Sequence, residues 1–166
     1  MPTKAEHERQ VFAEFAAAAS LPLELVSSRQ PPEPDLLCSI GGESLYFELG
    51  RLLDEGMQRL RLSMLRAAPT GVSGGGLEIR LPERAVLEKK LAKIYRVGGT
   101  PVELLLYFDN EKYLSSDVPT CGDAEWAWHA QHVMVPALQR APGRFRRVWV
   151  FDRHRLKVLW QSEGAV

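Results

Sequence analysis

The chain has little that would staple it, target it or mark it by charge. It has two cysteines, Cys38 and Cys121, in 166 residues. Neither falls in a C-x-x-C or other metal spacing, and no disulfide framework is in sight. That usage suits a reducing compartment, and the expectation is a cytoplasmic protein. No apolar run approaches the roughly 20 residues of a membrane span. The opening MPTKAEHERQ is charged and the alanine run after it is short, so neither a signal peptide nor a membrane contact is expected. Lys plus Arg and Asp plus Glu number 21 each, so no global field advertises a polyanionic partner. No internal repeat is found. The glycines at 74–76 precede a strand-like LEIRL, whereas a phosphate-cradling loop opens a helix. No serine sits in a nucleophile elbow. His129 and His132, with Cys121 nearby in sequence, match no metal pattern.

What is present is ordinary globular material. An apolar fraction of 45% and a charged fraction of 25% in 166 residues fit one domain, 1–166, with a core that needs no staples. Thr3 and Glu6 have capping-box spacing before a helix over 4–19, whose inner face reads Val11, Phe12, Phe15, Ala16 and Ala19. Glu8 lies on the same stripe. LPLELVSS at 21–28 reads as a short strand. RLLDEGMQRLRLSMLRAAP after Gly50 reads as a helix or broken helix, 70–76 as a loop and 77–81 as a strand. VELLLYFD at 102–109 is the continuous apolar run of a strand covered on both faces. Asp123 can cap a helix that Pro136 interrupts. FRRVWVFD and RLKVLWQ form a closing hairpin around RHR. Strands alternating with helices predict an α/β or α+β class with a central mixed sheet flanked by helices.

The stretch EPDLLCSIGGESLYFELGR, 33–51, is a hairpin with an acid on each strand. Gly41-Gly42 between apolar runs suits a two-residue turn that needs positive φ. If Ile40 and Glu43 flank the turn, Leu37 faces Tyr46 and Asp35 faces Glu48. One face then reads Leu36, Cys38, Ile40, Leu45, Phe47, Leu49 and is core. The other carries Asp35 and Glu48, with Cβ atoms roughly 4.5–5.5 Å apart, unfavourable when both are ionised. A hard cation, a shared proton, or an arginine such as Arg29 or Arg51 would compensate.

Pro82 opens a helix over 83–97 that Gly98-Gly99 would stop. Leu87, Leu91, Ile94 and Tyr95 define its apolar arc, and Lys90 falls inside that arc. Lys89 points nearly opposite and Lys93 toward the edge. Lys90 either snorkels to water along its stem or delivers its ammonium to an acidic site at the sheet. Residues 140–157 are basic: Arg140, Arg144, Arg146, Arg147, Arg153, Arg155 and Lys157 stand against Asp152. They either balance acids elsewhere in the fold or meet phosphates.

In this order (helix 4–19, strand 22–27, a strand opening at Pro34-Asp35, a strand closing with Glu48-Leu49-Gly50, helix 83–97, strand 102–108) the chain resembles the PD-(D/E)xK nuclease superfamily. The resemblance implies a restriction-endonuclease-like core over 4–109, with 110–166 as a helix and hairpin decoration. It implies a metal-dependent phosphodiesterase in which Asp35, Glu48 and the Leu49 carbonyl hold Mg²⁺ or Mn²⁺ and Glu8 is an outer ligand. Gly50 stands where the family pattern has its lysine, and Lys90 on the following helix would supply the ammonium. Nucleic acid would be the partner, with Arg144, Arg146, Arg147, Arg153, Arg155 and Lys157 as its contacts. The competing expectation is a non-catalytic binding module that retains the fold.

Overall fold

Gly41 and Gly42 take φ of 58° and 83° at the hairpin turn, a backbone that residues with a Cβ adopt at a cost. The register that follows pairs Ile40 with Glu43, Leu37 with Tyr46 and Leu36 with Phe47, as the sequence predicts. This hairpin is part of a computed structural model that describes residues 1–52, 82–108 and 130–162. The expected helix after Gly50, the loop at 70–76, the strand at 77–81, Cys121, Asp123 and His129 lie outside the described residues.

The described elements are α1 (Lys4–Ala18), β1 (Leu23–Ser28), β2 (Leu36–Ile40), β3 (Glu43–Arg51), α2 (Pro82–Ala92), β4 (Val102–Phe108), a π-helical turn (Ala130–Met134), α3 (Val135–Gln139), β5 (Arg147–Asp152) and β6 (Lys157–Gln161). The six strands form one sheet in chain order. β1, β2 and β3 run antiparallel. β3, β4 and β5 run parallel, and β6 returns antiparallel to β5. The chain is therefore an α+β domain built on a mixed sheet.

Each face of the sheet has its own core. α1 starts with the expected capping box between Thr3 and Glu6. Its buried Val11, Phe12, Phe15 and Ala16 cover one face, packing with Leu36, Phe47, Leu105, Trp149 and Phe151. Phe12 lies 4.7 Å from Phe47 between ring centroids, and Phe15 meets Trp149 edge to face at 5.1 Å. Each fully buried phenylalanine contributes roughly 1.5–3 kcal/mol. On the other face Leu87 and Leu91 of α2, with Met134 and Ala137, cover Leu104, Leu106, Val148 and Val150. Alternate residues of β4 serve the two cores, so all seven are buried, which explains why all but Glu103 are apolar. Pro136 falls in the first turn of α3, where a missing N–H is tolerated, just after the π-helical turn. No helix among the described residues is long and apolar enough to cross a membrane.

The helix predicted over 83–97 is shorter, and this is a correction. α2 ends at Ala92, and Gly98-Gly99 lies beyond a stretch that is neither helix nor strand rather than at the helix stop. The backbone of that stretch bonds elsewhere. Lys93 N–H donates to Lys90 O at 3.3 Å, three residues back, and Arg96 N–H donates to Pro32 O at 2.9 Å. Tyr95 still reaches the core, 6.2 Å from the Phe145 ring, but Ile94, expected on the apolar arc, is 82% exposed.

Candidate functional site

The acid pair sits where β2 and β3 part. The ladder ends at Leu36 and Phe47. One residue earlier Asp35 has left the strand, and its carbonyl accepts the Arg29 amide at 2.8 Å. The two acids are therefore not a ladder pair, as the register extrapolation would have it. They interlock instead: Asp35 N–H donates to Glu48 Oε2 at 3.2 Å, and Leu49 N–H donates to Asp35 Oδ2 at 2.9 Å. A strand residue sends its N–H and C=O to the same edge. The Leu49 carbonyl thus opens on the side where Asp35 lies.

Glu48 is 1% exposed, a burial that an unpaired carboxylate does not sustain. Its cations come from α2 and the stretch after it. Lys90 Nζ lies 2.7 Å from Glu48 Oε1 and Lys93 Nζ lies 3.1 Å from the same oxygen. Lys90 thus stands where its place on the apolar arc predicts. Lys93 was missed as a partner of Glu48, because continuing the helix through 97 sends it to the edge, whereas beyond the helix break its half-exposed side chain reaches the carboxylate. Tyr95 closes this side, its hydroxyl donating to Lys90 O at 3.4 Å.

Gly50 explains how the helix comes so close. A Cβ there would lie 2.8 Å from Leu106 Cδ2 and 2.9 Å from Val86 Cγ1, both closer than real Cβ contacts come. The same Cβ would lie 3.6 Å from Lys90 Cε. The glycine leaves room for α2, and the stem of Lys90 passes beside the position from which a side chain at residue 50 would start.

The acids open into a cleft of about 430 Å³ lined by Lys4, Glu8, Arg29, Glu33, Lys93, Ile94 and Tyr95 besides Asp35 and Glu48. Burial acts to raise the Glu48 carboxyl, but Lys90 and Lys93 outweigh it and its pKa falls below the ordinary value. Asp35 moves the other way, raised by burial first and then by the charge of Glu48. The two environments push the carboxyls apart, a pattern frequent at reactive sites. Glu8 is also raised, by burial and then by Asp35, and pairs with Lys4 at 3.4 Å. It shares the cleft with the acid pair. Among the described residues, however, no three His, Cys, Asp or Glu side chains gather into a metal-holding group.

Tyr46, on the acidic side of the hairpin, is 7% exposed and donates its hydroxyl to Glu33 at 2.9 Å, so it packs rather than presenting a ring. Three of the basic residues at 140–157 are balanced by acids of the fold. Arg146 pairs with Glu43 and with the buried Glu103, Arg153 with Glu14, and Arg155 with Asp152. Arg144 donates to the Lys93 carbonyl at 3.0 Å, and Arg147 lies over the Trp149 ring at 5.2 Å. Lys157 is exposed at the start of β6. Glu103, which sequence reasoning did not single out, is held by Arg146 and by Trp149 Nε1 at 2.9 Å.

No protein-family model, no curated protein and no solved structure matches the chain, so its chemistry has to be read from these side chains.

Proposed function

We propose that the chain is a metal-dependent phosphodiesterase acting on nucleic acid, built on a restriction-endonuclease-like plan with its lysine displaced from position 50 to Lys90. The observation that carries this reading is the convergence of Lys90 on Glu48 at 2.7 Å, where Glu48 and Asp35 line one cleft. An inward lysine on an acid pair is what hydrolysis of a phosphodiester asks for and what a solvated hairpin would not need. The β3–α2–β4 order, with β3 parallel to β4, supports the same plan.

The oxygen donors suit a hard cation, since Mg²⁺ is commonly held by one or two carboxylates and keeps several waters. Asp35, Glu48 and the Leu49 carbonyl would hold Mg²⁺ or Mn²⁺, which supplies an activated water and neutralises charge on the phosphodiester. Glu8 would act from the outer side through water. Lys90, held by Glu48, places a fixed positive charge where negative charge develops. Because Arg146, Arg153 and Arg155 are paired internally, Lys4 and Arg29 on the cleft wall are nearer candidates than segment 140–157 for the nucleic-acid backbone. A reducing, cytoplasmic setting belongs to the same reading.

The test is cleavage of single- and double-stranded DNA and RNA with Mn²⁺ by the wild type, Asp35→Asn and Lys90→Met. Cutting that falls about 100-fold or more in both variants, with the fold intact, is the expected result. Cutting that survives both would be a contaminant's. A wild type that binds oligonucleotides without cutting would instead be the binding module.

A further inference from the structure

Glu48 Oε1 accepts two ammonium groups, and those two are not held alike. Lys90 projects from α2, its side chain is 14% exposed, and it sits at 2.7 Å. Lys93 lies beyond the helix end, is 47% exposed, and sits at 3.1 Å. The Lys93 main chain is fixed by Arg144, which donates to its carbonyl at 3.0 Å. Its ammonium has a second neighbour in the Tyr95 ring, 5.9 Å from the centroid. Lys93 is therefore a pinned backbone carrying an arm that can exchange a carboxylate for an aromatic face, a cation–π contact of modest strength.

The geometry points to Lys93 as a displaceable counter-ion: it holds Glu48 Oε1 when no cation is present, yields that oxygen to a divalent cation, and then stands at the cleft mouth as a positive charge for a phosphodiester. This rests on the proposed metal-dependent reading and adds to it a residue and an order of events. Two carboxylates and two ammonium groups leave the site balanced without metal. A divalent cation on Glu48 makes both lysines like-charged neighbours, so one ammonium must move. Lys90 is largely buried on α2, its side chain 14% exposed, whereas Lys93 is half in solvent. The arm that moves is Lys93.

The experiment is Mn²⁺ binding by the whole chain, measured by calorimetry and by the loss of free-ion paramagnetic signal, for the wild type, Lys93→Gln, Lys93→Arg and Asp35→Asn. Removing a positive charge a few ångströms from a divalent ion in a partly solvated site should tighten Mn²⁺ binding about tenfold in Lys93→Gln. Lys93→Arg, which keeps the charge, should stay close to wild type, and Asp35→Asn should lose binding. Lys93→Gln that binds Mn²⁺ no tighter than wild type overturns the counter-ion role while leaving the metal site standing. A wild type and Lys93→Gln that both fail to bind Mn²⁺ overturn the role and the metal-dependent reading together.

Discussion

Asp35 and Glu48 each hold the other's strand: Glu48 Oε2 takes the Asp35 amide at 3.2 Å while Asp35 Oδ2 takes the Leu49 amide at 2.9 Å. The acids thus have a structural part besides the chemical one proposed for them, and substitutions separate the two. Asp35→Ala leaves the Leu49 N–H without its acceptor, and an unsatisfied buried donor costs about 1–3 kcal/mol. Asp35→Asn keeps an acceptor oxygen and removes a charge that Glu48 opposes, so it should cost less. Urea unfolding of both variants in EDTA checks this. Equal stability of the two would mean that water replaces the carboxylate at Leu49.

Gly50→Ala should destabilise by about 1–3 kcal/mol, the range for forcing extra volume into a packed core. The added methyl would meet Leu106 at 2.8 Å and Val86 at 2.9 Å. Leu106 is fully buried and has little room to give. Gly50→Lys should be worse, although it puts a lysine where the nuclease pattern has one. An unchanged urea midpoint in Gly50→Ala would show that α2 does not seat against β3 at this point.

The parts of the fold that periodicity governs were legible. Alternation and the Gly41-Gly42 turn sufficed for the hairpin register, and helical spacing sufficed to turn Lys90 toward the sheet. What escaped depends on partners distant in sequence. Past the end of α2 at Ala92, Arg96 N–H bonds the carbonyl of Pro32, far back in the chain, and no local pattern announces that bond. With the helix drawn too long, Ile94 was placed inside, where it is 82% exposed, and the reach of the half-exposed Lys93 to Glu48 was missed. Glu103 lies within an apolar run, and its burial depends on Arg146 and Trp149 arriving from β5 and the residue before it. Of the compensations left open at the acid pair, none was a pair of lysines from further along the chain, yet Glu48 meets two, one from α2 and one from the residue after its end.

Cys38 should be inert in the folded protein. It is 2% exposed in the core beneath α1, and burial pushes its thiol up to about 12. The thiolate is the reactive form, so at about pH 8 an alkylating reagent should leave Cys38 unlabelled in native protein and label it fully in denaturant. Peptide mapping by mass spectrometry reads the site directly. Rapid native labelling at Cys38 would mean that the α1 face opens on the time scale of the reagent.

The last expectation concerns pH, where Glu48 and Asp35 act in opposite senses. Burial would raise Glu48, but Lys90 and Lys93 prevail and lower it. A carboxyl lowered in the fold contributes stability that is present above its unfolded value and lost as pH falls through the folded one. Asp35 is raised, by burial and then by Glu48, so its contribution is present in acid and lost as pH rises through the raised value. Asp35→Asn should therefore gain on the wild type between the acid range and neutrality. Lys90→Met should lose most at neutral pH, where Glu48 is charged and 1% exposed. Because Lys93 remains, the loss should fall short of the roughly 3–5 kcal/mol for an uncompensated buried charge. It should shrink toward about pH 4 as Glu48 takes up a proton. Urea unfolding at both pH values, in EDTA, measures this. A Lys90→Met penalty identical at both would show that the lysine contributes its packed stem alone.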